Sequence, residues 1–376
     1  MRKLFTTLCM MTLVSWGIIA QEIDITGEVK TGFYWEDKLR DGQSSSEKTP
    51  QTSKMHNNDD AGSGLGRFRL NVDLTKGNLG FMFRIEQTGM NEPAPDWPYA
   101  FGYINLYDDQ FKFSVGKLGG GSPWSTGGPE MWKELETVMG VRFEYKPSFV
   151  PGLNVGAVLN GFDKYAEQQA EATLTDYLNE TVFGVRYDHE YFGVRFEYRL
   201  DSDIDTLRPL DEGASLIYRV EERILTKYLP GFQIWANGNY TGISAEEEAI
   251  NFVNWLYIQY APENLTAQLR VGYDVISNRS ILHLRPSFYY NFFSNLLNVG
   301  TSFQFAQDFG EGKVVEDSPF SYWNVEPKVQ VNFGSAYTAF VFHYGMEYKY
   351  RDDPSHPKWG PQEQMKWLNI RFGYTF

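Results

Sequence analysis

Side chains change character at every second residue over most of this chain, and a period of two admits strands and little else. At the C-terminus, Leu368-Asn369-Ile370-Arg371-Phe372-Gly373-Tyr374-Thr375-Phe376 puts Leu, Ile, Phe, Tyr and Phe on one face and Asn, Arg, Gly and Thr on the other. Neighbours in a strand project to opposite sides, whereas a helix would scatter these two sets around its circumference. Phe68, Leu70, Val72 and Leu74 separate in the same way from Arg67, Arg69, Asn71 and Asp73, as do Phe81, Phe83 and Ile85 from Met82, Arg84 and Glu86. A short echo writes one strand three times: Gly140-Val141-Arg142-Phe143-Glu144-Tyr145, Gly184-Val185-Arg186-Tyr187-Asp188 and Gly193-Val194-Arg195-Phe196-Glu197-Tyr198.

Alternation fits a soluble sandwich as well as a barrel, so the connections have to separate the two. Short turns fall at Lys76-Gly77-Asn78, Asp108-Asp109-Gln110, Asp188-His189-Glu190, Pro262-Glu263-Asn264, Ser294-Asn295 and Gly334-Ser335. Between them lie long polar segments at 36–64, 89–98, 119–136, 161–179, 201–211, 241–249, 308–318 and 351–362. Short and long connections take turns, the asymmetry of an outer-membrane barrel with tight periplasmic turns and long external loops. The expected fold is therefore all-β, a transmembrane antiparallel β-barrel of about eighteen strands running from 22–35 to 363–376. Strands 99–108 and 250–261 alternate poorly, and without them the count falls to sixteen. Backbone amides cannot face hydrocarbon unpaired, so the first strand has to meet the last. Pro286 and Pro327 lie inside two assigned strands, where each removes a ladder donor.

Met1-Arg2-Lys3 followed by the largely apolar, uncharged stretch Leu4 to Ala20 reads as a secretory signal peptide over 1–20, leaving the barrel over 21–376. Removal of that segment takes away the single cysteine, Cys9, and two cations, so the net charge moves from −14 to −16. Disulfides and thiolate zinc sites are excluded, and the acidic balance argues against nucleic acid as a partner. No later run of about 20 apolar residues could form a membrane-crossing helix. Five scattered histidines, with no His-Glu-x-x-His spacing, Gly-x-Ser-x-Gly elbow or phosphate loop, point away from an enzyme and from any cofactor or metal.

The signal peptide, the alternating strands and the final strand ending in Phe372, Tyr374 and Phe376 together resemble the Gram-negative outer-membrane porins. Phe111-Lys112-Phe113-Ser114-Val115-Gly116-Lys117-Leu118 also looks like the porin strand that precedes the third external loop, with Lys117 where Arg is usual. The resemblance implies a passive channel for small hydrophilic solutes or ions, embedded in outer-membrane lipid and assembled as a homotrimer. It also implies that the barrel assembly machinery reads the terminal Phe376, Tyr374 and Phe372. In such porins the third external loop folds inward. Loop 119–136 would then carry Glu130, Glu134, Glu136, Trp124 and Trp132 to a constriction, facing a cationic wall of Arg67, Arg69, Arg84, Lys112 and Arg142. Two other readings remain open: a blocked barrel serving as a surface adhesin or structural protein, and a sugar-selective porin whose Trp97, Trp124, Trp132 and Trp359 form an aromatic slide.

Overall fold

The computed structural model describes residues 22–40, 51–54, 67–88, 97–118, 123–124, 139–159, 181–199, 215–241, 251–276, 279–309, 321–348 and 362–376. The segments at 1–20, 125–138 and 349–361, and with them the signal peptide, Glu130, Trp132, Glu134, Glu136 and Trp359, lie outside the described residues. The first strands are β1 (Glu22–Arg40), β2 (Gln51–Lys54), β3 (Arg67–Lys76), β4 (Leu79–Thr88), β5 (Ala100–Leu106), β6 (Phe111–Lys117) and β7 (Met139–Tyr145). Then come β8 (Leu153–Leu159), β9 (Val182–Asp188), β10 (Phe192–Arg199), β11 (Ser215–Glu222), β12 (Phe232–Thr241) and β13 (Asn251–Tyr260). The wall is completed by β14 (Leu265–Ile276), β15 (Arg279–Phe292), β16 (Leu297–Asp308), β17 (Ser321–Phe333), β18 (Ala336–Tyr348) and β19 (Gln362–Thr375).

From β3 onward each strand pairs antiparallel with the next, and β1 pairs with both β3 and β19, so the sheet closes on itself. Eighteen strands make that circuit, because the four-residue β2 only extends the wall along β1 beyond β3. Both strands that alternate poorly, β5 and β13, belong to it, so the count is eighteen and the sixteen-strand reading falls away. At the seam, Phe376 and Gly27 exchange two backbone hydrogen bonds of 2.8 and 3.0 Å. The two prolines interrupt ladders without moving them. Pairing stops after Leu284↔Phe305 and resumes at Ser287↔Ser302, and stops after Val325↔Tyr344 and resumes at Lys328↔Val341, in both cases in the same register.

The two faces sort as the alternation requires. Val29, Phe68, Val115, Phe183, Tyr273, Phe288, Phe340 and Phe372 are exposed on the outside, an apolar outer face of the kind a transmembrane barrel presents. Glu86, Arg142, Glu144, Glu197, Arg199, His283 and His343 are buried on the inside. His283 is paired to Asp274 at 2.9 Å and His343 to Glu326 at 2.9 Å, so both histidines serve the polar wall.

Wall height differs around the circuit. Strands β5 to β9 have 7 residues each, while β15 and β19 have 14. At about 3.3 Å per residue and a tilt of roughly 40°, the low side rises about 18 Å and the high side about 36 Å, against an apolar band of about 25 Å.

Candidate functional site

The inner wall behind the low side is organised around one residue of the third long connection. Trp124 is fully buried, and its indole packs against the inward-facing backbone of β8 and β9, where a Cβ on Gly184 would come within 2.0 Å of the ring and one on Gly156 within 2.7 Å. Two strands can approach an indole that closely only where no side chain intervenes. Its Nε1 donates to Asn154 Oδ1 at 3.3 Å, Asn154 Nδ2 donates to Glu144 Oε2 at 3.2 Å, and Glu144 Oε1 lies 3.1 Å from Arg142 Nε. Leu118, Val158, Val182 and Ile217 pack with it, joining Tyr99 and Phe101 on one side and Trp255 and Tyr257 on the other.

Four of the five predicted wall cations are described, and all four point inward. Arg69 grips Glu86 through Nε at 2.9 Å and Nη2 at 2.8 Å, the two-pronged geometry that suits a carboxylate. Arg84, Arg142 and Lys112 sit over the rings of Tyr99, Phe101 and Tyr103 at 4.8, 5.3 and 4.1 Å. Arg67 belongs to the same strand as Arg69, and its side chain lies outside the described residues.

The same device recurs farther round the wall, where parity in the sequence already turns Arg270 and Arg285 inward but does not show the rings beneath them. Arg219, Arg270 and Arg285 stand over Trp235, Tyr257 and Trp255 at 5.3, 5.8 and 4.9 Å, and Trp235 stacks on Tyr257 at 4.9 Å with 7° between planes. In-register pairing also sets Arg186, Arg195 and Arg219 side by side on β9, β10 and β11. Glu221 answers that row, 2.7 Å from Arg219 and 3.8 Å from Arg195. At the turn below, Arg223 reaches Asp188 at 2.7 Å and Glu221 at 3.0 Å. Burial disfavours its charge, but those two hydrogen bonds outweigh it and hold the guanidinium pKa above its ordinary value.

Trp97 and Trp124, the two described members of the suggested aromatic slide, do not share a surface. Trp97 packs at 5.8 Å on Phe83, which pairs with the outward Val72, whereas Trp124 is inside. Tyr374 and Phe376 stack at 6.1 Å at the seam, with Phe372 exposed on the same outer stripe.

No protein-family model matches this chain, and no curated protein matches it. Solved structures do. The chain is similar in fold to OpdQ of Pseudomonas aeruginosa, with a TM-score of 0.56 at 10% identity over 95% of this chain and 98% of that one. It is likewise similar to the outer membrane channel DcaP of Acinetobacter baumannii, at 0.53 and 9% over 94% and 97%. A third likeness is to OccK2 (OpdF) of Pseudomonas aeruginosa, solved in complex with glucuronate, at 0.52 and 12% over 94% and 98%.

Proposed function

We propose that this barrel, which has the fold of the outer-membrane porins, is a passive channel for small hydrophilic solutes in the outer membrane of a Gram-negative bacterium. An outward surface of exposed apolar side chains and an inward one carrying paired charges suit a lipid-embedded, water-filled wall. The 1–20 segment serves as the export signal, the barrel assembly machinery acts on the terminal Phe376, and the short turns face the periplasm.

The third connection folds inward and narrows the lumen, and the single observation that carries this is the seat of Trp124 on Gly156 and Gly184. Glu130, Glu134 and Glu136 follow Trp124 in the same connection and face the cations of the wall. Their effect on a passing ion is Coulombic and is strengthened by the low-dielectric surroundings. The low side of β5 to β9, shorter than the apolar band, is where protomers meet in a homotrimer. The buried inner cluster around Trp124 supports a second reading, a barrel sealed at this level that serves as an adhesin or structural protein.

Liposome swelling separates the two. Proteoliposomes placed in isotonic solutions of neutral solutes of graded size should swell fastest with the smallest and cease swelling above a cut-off. A sealed barrel gives no swelling with any of them.

A further inference from the structure

Beneath Trp124 the inner wall opens into a recess of about 480 Å³ between the ends of β6 to β9 and the β7–β8 turn, with Pro123 closing one side. Four cationic side chains, Lys112, Arg142, Lys146 and Arg186, line it against two carboxylates, Glu144 and Asp188. Both carboxylates are already engaged by guanidinium groups, and Glu144 also stands opposite Lys112 in the β6–β7 ladder. Glu144 is engaged by Arg142 at 3.1 Å and by the amide of Asn154 at 3.2 Å. Asp188 lies between Arg186 Nε at 2.5 Å and Arg223 Nη2 at 2.7 Å. Lys112 is held on the inner wall by the face of Tyr103, 4.1 Å from its Nζ. Lys146 is fixed through its backbone, whose N–H donates to Gln110 O at 2.7 Å.

We propose that this recess is a binding site for small dianions, solutes that present either two carboxylates or one phosphate, with Lys112 and Lys146 as the principal contacts. A cation entering it would meet guanidinium-held carboxylates and two ammonium groups. A dianion finds the positive excess in a volume that accepts a solute of a few heavy atoms, and charge-assisted hydrogen bonds to ammonium are the strong kind. The proposal rests on the channel reading for its biological sense, since the recess lies beside the path of a permeating solute. It names the solute class that the channel would retain.

The test is NMR line broadening of succinate and of inorganic phosphate by the full barrel in neutral detergent micelles, a measurement that does not require conductance. The wild type should broaden the anion resonances and leave erythritol sharp. Lys112→Gln with Lys146→Gln should weaken the effect about tenfold or more, and Lys112→Arg should retain it. Broadening of only one of the two anions supports the site and identifies the group it takes. Equal broadening by wild type and the double Gln variant, or none by the folded wild type, overturns the site. Because swelling is recorded separately, a swelling-competent barrel that ignores both anions rejects the recess and leaves the channel standing.

Discussion

Trp124 is held by what its neighbours lack as much as by what they offer: Gly156 and Gly184 have no Cβ to collide with the indole, and Asn154 accepts its N–H. Trp124→Ala should remove about 3–5 kcal/mol of local packing, the range for emptying a buried aromatic seat. Gly184→Val should evict the ring by collision. Both are expected to raise single-channel conductance without altering the heat-shifted electrophoretic migration that marks a folded barrel. If conductance stays at the wild-type value in both, the connection does not follow the path that Trp124 marks. At this scale the sequence was readable where parity decides. Arg69, Arg84, Lys112 and Arg142 all face inward as alternation requires. What it did not disclose was the use of aromatic rings as cation supports, because Tyr99, Phe101 and Tyr103 meet Arg84, Arg142 and Lys112 only after β4, β5, β6 and β7 are aligned.

At the level of strands, the same rings explain why β5 and β13 alternate poorly. Their inward positions carry Phe101 and Tyr103, or Trp255 and Tyr257, where other strands carry charge, so both faces read as apolar. Turn chemistry, by contrast, was legible: Gly77 and Gly334 open two tight turns at φ of 54° and 63°, a region that glycine enters freely. Three predictions belong here. On the high side, Phe340→Arg places a charge toward lipid and should cost about 2–4 kcal/mol if it lies near the bilayer midplane. Denaturant unfolding in vesicles measures that loss. A change below experimental error would place the β18 face away from lipid. On the low side, Val185→Arg should instead dissociate the proposed trimer, seen as a monomer on native electrophoresis, while the barrel itself stays folded. Retention of the trimer would remove β9 from the contact. At the seam, deleting Phe376 removes the two bonds to Gly27, each contributing about 0.5–1.5 kcal/mol, whereas Phe376→Ala keeps them and removes only the ring. Assembly in cells should fall for both variants, and folding of purified chain into detergent only for the deletion. Normal cellular assembly of Phe376→Ala would show that the ring is not the recognised feature.

For the molecule as a whole, the account rests on closure around a conducting lumen. Closure follows from the first and last strands meeting along thirteen residue pairs from Glu28↔Thr375 to Arg40↔Glu363. Conduction requires that the proposed inward path of the third connection leave the lumen open. Purified protein added to a planar bilayer decides this most directly. The channel reading predicts discrete current steps of uniform size that persist under moderate voltage. A preparation that is fully heat-shiftable, and therefore folded, yet inserts without producing any step would contradict it.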